Sequence, residues 1–564
     1  VHLCPEWLCA LEKLFFTLNA QPDFRLLLTS EISPKLPPSL LRLCYTLVFE
    51  TPTGVRASLL HSLSAVPEEC MNAKPVERCR VCFLLLWLHA VVEERLRYVP
   101  VGWTKPYEFN ESDLKCALEA IDHWVSAAAR GLPHMDPARL NWKALRALLS
   151  QCFYGGRVDN AFDDLLLRAL IDRIFVPASF NSDFPLVEVC RLDGVNDVTG
   201  SREVLLTVPE GTCKADFERW VDALPVYNSP EWLGLPATAE KRYLSQQGSA
   251  ILRAALLLQD AAGQEARRAE EGVKEREGAW ASGLAGSAEK WLGLVMVEIK
   301  APASTPALLR NPLFRFLARE IEEMKALQAT VVRQLQDLVG VCQGKLKSTH
   351  ATRLLLEELA RDRVPRAWCR GGPDAGEESE RRREGSPVVC SVWMQHFILR
   401  CQHFAALSTL SVEAVRTSGV WLGGLLHPEA FIIAMRQLVA QERGWPLNDV
   451  QLRLTPLSPE RFEHVGAILA EKESAFLVHS LVLEGADWSE EGLVPSDAIR
   501  CPLDEVLFEW SCEKEEAATT IQVPIYLNDT RSQLLYVVDL KHVKAIPTEI
   551  WRERAVSIIC WRQI

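Results

Sequence analysis

Three short stretches among these 564 residues hold residue types that do chemistry elsewhere. "GVCQGKLKS" (Gly340–Ser348) has the outline of a phosphate loop, in which backbone amides cradle phosphate and a hydroxyl holds the metal. That chemistry needs four residues between the first glycine and the Gly-Lys pair, then Ser or Thr directly after the lysine. Here three residues intervene, Leu346 follows Lys345, and no strand precedes the stretch, so it reads as a break between helices. Cys79-Arg-Val-Cys82 is a C-x-x-C with no second pair of Cys or His at zinc spacing, inside a helix apolar nearly all round, which gives it a packing role. "CSVWMQHFILRCQH" brings Cys390, His396, Cys401 and His403 close in sequence. The two histidines share a helix face and the cysteines point elsewhere, so a metal-dependent enzyme built on His396 and His403 is the weaker reading. No G-x-S-x-G elbow, H-E-x-x-H helix or G-x-G-x-x-G fingerprint occurs, and nothing assembles an acid, a base and a nucleophile.

The elements that would hold any site are more legible than the chemistry. "RYVPVGWTKPYEFNESDLKCAL" (Arg97–Leu118) stops one helix and starts another. Val99-Pro100-Val101-Gly102-Trp103 cannot continue a helix, because proline lacks the N–H and glycine loosens the backbone. Asn110 is placed to cap the restart, with Asp113 three residues on, where its charge favours a helix N-terminus. The result is a rigid corner anchored by Trp103, Tyr107 and Phe109.

Length predicts roughly three or four domains. The formal charge of −12 opposes a nucleic acid or an acidic filament as a direct partner, and no lysine-arginine block is long enough to predict a basic patch. Seventeen scattered cysteines without a dense framework predict free, mostly buried thiols in a reducing compartment. The longest apolar run, Val81–Val92, is too short for a span of about 20 residues, so no membrane insertion is expected.

The predicted fold class is α+β and mostly helical. Helix from Pro5 to Leu18, strand over Phe24–Glu31, a short helix in "PPSLLRLC" and strand over Tyr45–Pro52 give the tail of a parallel α/β core whose earlier strands would precede Val1. Helices are predicted over Val76–Arg97, Glu111–Arg130, Leu140–Cys152 and Val158–Phe175, with Gly131, Gly155 and Gly156 at the breaks. Residues near Ser179–Leu235 are mixed and turn-rich, and helices return over Ala237–Gln259 and Thr305–Arg361. Ala261–Glu277 and Arg370–Pro387 read as loose linkers. After Trp445, "VQLRLTP", "AFLVHSLVLEG", "TTIQVPIYL", "LLYVVDL" and "AVSIICW" predict a small antiparallel sheet or barrel.

Taken together, the blocks resemble one family. "WLCALEKL…FRLLLTSEISPKLPPSLLR…VFETPTGV" is similar to the late part of the sixth AAA+ module of dynein heavy chains. "LLLWLHAVVEERLRYVPVGWTKPYEFNESDL" and "YGGRVDNAFDDLLL" resemble that module's helical lid, and "LPVYNSPEWLGLPATAE" the segment that follows. "NPLFRFLAREI", "WLGGLLHPEAFIIAMRQLVAQERGW" and "VPIYLNDTRSQLLYVVDL" resemble blocks of the dynein C-terminal domain. The wording around Gly102-Trp103 is nearer to the cytoplasmic than to the axonemal heavy chains, whereas Arg370–Pro387 departs from the family texture.

The resemblance implies residues 1–60 as the end of a sixth AAA+ large subdomain, 61–200 as its lid and 201–236 as a connector. Residues 237–445 and 446–564 would be the helical and β-rich parts of the C-terminal domain. It implies a cytoplasmic, microtubule-associated ATPase motor in which this segment is non-catalytic and carries no cofactor, ATP and Mg being bound by upstream modules. Implied partners are the other AAA+ modules, a second heavy chain in a dimer with intermediate and light chains through a tail, and microtubules through a stalk. Gly102, Trp103, Tyr107, Phe109, Asn110, Tyr154, Gly155, Gly156 and Arg157 would be structural lid-corner residues. Arg42 would stand near the place of an inter-module arginine finger, with a plain inter-module salt bridge as its blander role, and Thr29–Glu31 near a vestigial sensor. The alternative is a stand-alone interaction module from a truncated dynein-like gene.

Overall fold

The computed structural model describes residues 2–560 apart from 192–200, 271–272, 301–307, 369–389, 458–465, 513–519 and scattered single or paired positions between them. The expected linker Arg370–Pro387 lies outside the described residues. The protein divides into two compact units, Val1–Thr53 and Gly54–Ile564.

In the first unit α1 (Pro5–Phe15) and α2 (Pro38–Leu43) bury Leu8, Leu11 and Leu40 against one another. Neither expected strand forms: the described parts of Phe24–Glu31 and Tyr45–Pro52 have no regular structure. A strand needs a neighbouring strand for its N–H and C=O groups, and no described strand pairs with these runs. Leu28 packs on the small core, but most of the other side chains are exposed, Leu27 at 90% and Phe49 at 92%.

The second unit has two hydrophobic cores. The first is organised by α5 (Glu77–Arg95), whose residues from Val81 to Val92 are all buried, as an all-round apolar helix requires. Around it pack α3 (Val55–Ala65), α4 (Glu68–Asn72), α6 (Glu111–Ala129), α7 (Trp142–Leu148), α8 (Ala161–Ile174) and α9 (Lys214–Asp222). A one-turn π-helix, Leu149–Phe153, continues α7, and a hairpin of β1 (Pro185–Arg191) and β2 (Ser201–Thr207) occupies part of the turn-rich stretch.

The second core joins long helices to a barrel. α10 (Ala239–Glu270) starts against the first core through Ala239 and Tyr243, and the helices of the second core are α11 (Val273–Val295), α12 (Pro312–Cys342), α13 (His350–Ala360), α14 (Cys390–Leu407), α15 (Val412–Ser418) and α16 (Pro428–Arg443). The expected linker at Ala261–Glu277 is thus helix apart from the two undescribed positions. Its Ala, Glu, Gln, Arg and Lys are good helix formers, so low hydrophobicity there does not mean a loose segment.

The strands are β3 (Val420–Trp421), β4 (Gln451–Pro456), β5 (Ala475–Glu484), the small pair β6 (Asp487–Ser489) and β7 (Gly492–Val494), β8 (Cys501–Ser511), β9 (Thr520–Tyr526), β10 (Leu534–Lys541) and β11 (Ser557–Ile559). A last helix, α17 (Thr548–Glu553), precedes β11. The order β11-β9-β10-β4-β8-β5 closes on itself because β11 also pairs with β5, with β3 beside it on the same edge of β5. The barrel is mixed, not purely antiparallel: β10 runs parallel to β4 and β11 parallel to β9.

Cys79, Cys82, Cys390, Cys401, Cys501 and Cys560 are free and buried, but Cys4, Cys9, Cys44, Cys70, Cys116 and Cys152 are exposed, so burial is not the rule expected for the thiols. No helix among the described residues is long and apolar enough to cross a membrane.

Candidate functional site: the tryptophan corner and its buried arginine

The three chemistry-bearing stretches come apart in the structure. Gly340 lies within α12, which ends at Cys342, and Gly344 takes the positive φ of a turn, so this stretch is a helix end. Cys79 and Cys82 sit buried in the first two turns of α5, where burial pushes both thiols up to about 12 and makes thiolate ligands unfavourable. His396 and His403 both lie on α14, and His403 meets the Trp421 ring at 6.0 Å. Among the described residues no group of three or more His, Cys, Asp or Glu is placed to hold a metal ion.

The corner, in contrast, converges. After α5 the backbone makes a short 3₁₀ turn, Leu96–Tyr98, and doubles back so tightly that a β-carbon at Gly102 would collide with the Arg95 carbonyl oxygen. Trp103 is fully buried and donates its indole N–H to the Val92 carbonyl at 3.0 Å, satisfying one of the open carbonyls of the α5 C-terminus. Its ring lies 5.9 Å from Tyr107 and 5.4 Å from Phe109, and Phe109 lies 6.1 Å from Tyr154. Tyr154 is hydrogen bonded to His89 at 3.1 Å, and His89 reaches Glu93 at 3.2 Å. One aromatic series therefore ties α5, the corner and the end of the π turn together.

Asn110 caps α6 by accepting from the Ser112 and Asp113 amides, while Asp113 accepts from the Asn110 amide at 3.2 Å, a complete capping box. Arg157 donates to the same Asp113 at 3.0 Å and so ties the end of the π turn to the cap. A β-carbon at Gly155 would strike the Ser150 carbonyl, whereas one at Gly156 meets nothing within 4 Å. Asp163, on α8, accepts from the Thr104 amide at 3.1 Å and from the Tyr107 hydroxyl at 2.7 Å. Burial raises its carboxyl above the usual range despite those donors.

One residue at the centre is not among those singled out from sequence. Arg95 is fully buried, and each of its three nitrogens donates to a different backbone carbonyl: Gly102 of the corner at 3.0 Å, Leu233 of the segment after α9, and Glu553 of α17 at 3.0 Å. Burial lowers its guanidinium to about 10, which leaves it charged at neutral pH. Glu553 in turn takes Arg173 of α8 at 2.5 Å. A signal for it exists: Arg95 follows Leu88, Val91 and Val92 at helical spacing, on a face buried throughout.

A second buried cluster joins the base of α10 to the barrel. Glu484, 2% exposed, binds Arg242 at 2.5 Å, Arg500 at 3.0 Å and Arg531 at 3.1 Å. Burial alone would raise this carboxyl, but Arg531, Arg242 and Arg500 outweigh it and hold it down at about 2.

Arg42 belongs to the other unit. It stands in the last turn of α2, exposed. Glu31 of that unit pairs with His2 at 3.3 Å, and Thr29 and Glu31 lie in irregular backbone.

The corner and barrel have counterparts elsewhere. Residues 78–239 match the AAA lid domain of the dynein heavy chain, and residues 245–560 match its C-terminal domain. The sequence is 35% identical over 573 residues to a cytoplasmic dynein heavy chain of Dictyostelium discoideum, covering 100% of this chain and 11% of the relative. It is 37% identical over 576 residues to that of Drosophila melanogaster, covering 99% and 12%. The dynein-1-alpha heavy chain of the flagellar inner arm I1 complex of Chlamydomonas reinhardtii is 26% identical over 578 residues, covering 99% and 11%. The chain thus spans about a ninth of the length of these curated relatives, and over that span it belongs to the dynein heavy chain family.

Proposed function

We propose that this chain works as the non-catalytic C-terminal portion of a dynein heavy chain, within an ATP-driven, minus-end-directed microtubule motor. Residues 1–60 would complete the large part of a sixth AAA+ module and residues 61–200 its helical lid. Residues 201–236 would connect the lid to a C-terminal domain with a helical part, 237–445, and a β-rich part, 446–564. The higher identity to cytoplasmic than to flagellar relatives supports a cytoplasmic, cytoskeletal motor. ATP and Mg would be bound by other modules of the same polypeptide, which together with microtubules, intermediate chains and light chains would be its partners.

The observation that carries the mechanical part of this reading is Arg95. A single buried cation holds carbonyls from the lid corner, the connecting segment and the helix before the last barrel strand. A lid rotation would therefore carry the barrel with it, because breaking these bonds strands a charge and three carbonyls in the interior. Exposed apolar runs at Phe24–Glu31 and Tyr45–Glu50 support a further contact, with strands of the AAA+ core supplied by another part of the polypeptide.

Reading the transcript upstream of the Val1 codon tests the assignment. A long open frame with several G-x-x-x-x-G-K-[ST] loops and a heptad-repeat hairpin is expected. A start codon immediately upstream, with no such loops, would leave a stand-alone interaction module instead.

A further inference from the structure

The sequence is acidic overall, and no basic block stands out along it, yet the fold gathers one basic groove. A cleft of about 700 Å³ runs between α12 and α16, whose bases are locked by Phe316 against Phe431 at 5.6 Å. Arg315 and Arg319 lie one turn apart on the exposed face of α12, and Arg310 precedes them in the 3₁₀ turn Leu308–Arg310. Arg319 is engaged by Glu323 at 2.8 Å, but Arg310 and Arg315 have no acidic partner among the described residues. On the opposite wall Ile433, Gln437 and Gln441 are exposed at successive i, i+4 positions of α16. Glu429 stands at the rim and is already met by Gln533 at 3.1 Å.

The floor is held by a buried carboxyl. Glu320 is 1% exposed, and its Oε2 accepts from the Leu426 amide at 2.8 Å, which fixes the loop before α16 against α12.

We propose that the α12–α16 groove binds an extended acidic peptide segment of a partner protein. Arg310 and Arg315 would clamp its carboxylates, since guanidinium forks match carboxylate geometry. The amides of Gln437 and Gln441 would bond its backbone, and Ile433 would receive one apolar side chain. Nucleic acid fits less well: the walls offer amides and an aliphatic face, not exposed aromatic rings on which bases stack.

The test uses the full chain and a short labelled peptide of aspartate and glutamate around one leucine, read by fluorescence anisotropy. Binding that weakens with added salt is expected, and Arg310→Ala/Arg315→Ala should weaken it about tenfold. Both side chains are exposed, so the variant keeps the fold, and Arg139→Ala/Lys143→Ala, which removes the same charge from the first core, should bind as the unaltered protein does. The proposal is overturned if the groove variant binds equally well, or if both variants lose affinity equally. It is also overturned if the Asn/Gln version of the peptide binds as tightly, or if a single-stranded oligonucleotide of equal charge replaces the peptide with the same dependence on Arg310 and Arg315.

Discussion

Gly102 and Gly156 are both glycines of the corner region, and they separate a steric requirement from a mere sequence habit. A methyl at Gly102 meets the Arg95 carbonyl, so Gly102→Ala must push the corner away from α5. We expect a loss of about 2 kcal/mol or more in denaturant unfolding, the range of overpacked cores. Gly156→Ala, with open space around its β-carbon, should stay within about 0.5 kcal/mol of the parent. Equal costs for the two would remove the close-approach account. At Arg42 the expectation concerns chemistry. If it makes only a salt bridge between modules, Arg42→Ala in the full motor leaves ATP turnover nearly unchanged, whereas a drop of about a thousandfold would identify an arginine finger.

Elements whose cause is local are the ones legible in the sequence. The all-apolar α5, the Pro-Gly stop after it and the Asn110–Asp113 cap all appear where their residue types require them. Arg95 is equally readable in principle, since its face of the helix is fixed by Leu88, Val91 and Val92, but its acceptors come from residues up to 458 positions away. Strands β4, β5, β9, β10 and β11 are visible one by one, but β8 is not among the expected runs, and the parallel seams β10–β4 and β11–β9 depend on which distant strands meet. Two errors run in opposite directions. Apolar runs at Phe24 and Tyr45 suggest strands although no described strand pairs with them, and the charged run from Ala261 suggests a linker although its residues favour helix.

The Glu484 cluster gives the element scale a pH signature. The folded carboxyl titrates near 2 against an ordinary value of 4.5, so the unfolded protein binds the extra proton between those values. Stability from this cluster is therefore fully present above about 4.5 and is lost as pH falls towards about 2. Glu484→Gln should flatten that acid limb in a pH series of unfolding curves. It should also cost about 3–5 kcal/mol at neutral pH, because three guanidiniums then lose their carboxylate. An unchanged acid limb in the variant would mean that Glu484 is not the group responsible.

For the whole molecule, the claim is that the two cores move as one body because Arg95 spans them. Shape and packing alone do not require this, since the helical core and the barrel each bury their own apolar residues. The direct measurement is hydrogen exchange of the intact protein, comparing amides of the corner and of α17 in the parent and in Arg95→Met. The account predicts that both regions are protected in the parent, open with a common free energy, and lose protection together in the variant by about 3 kcal/mol. Exchange at α17 that is independent of the corner in the parent, or unaltered by Arg95→Met, would contradict it.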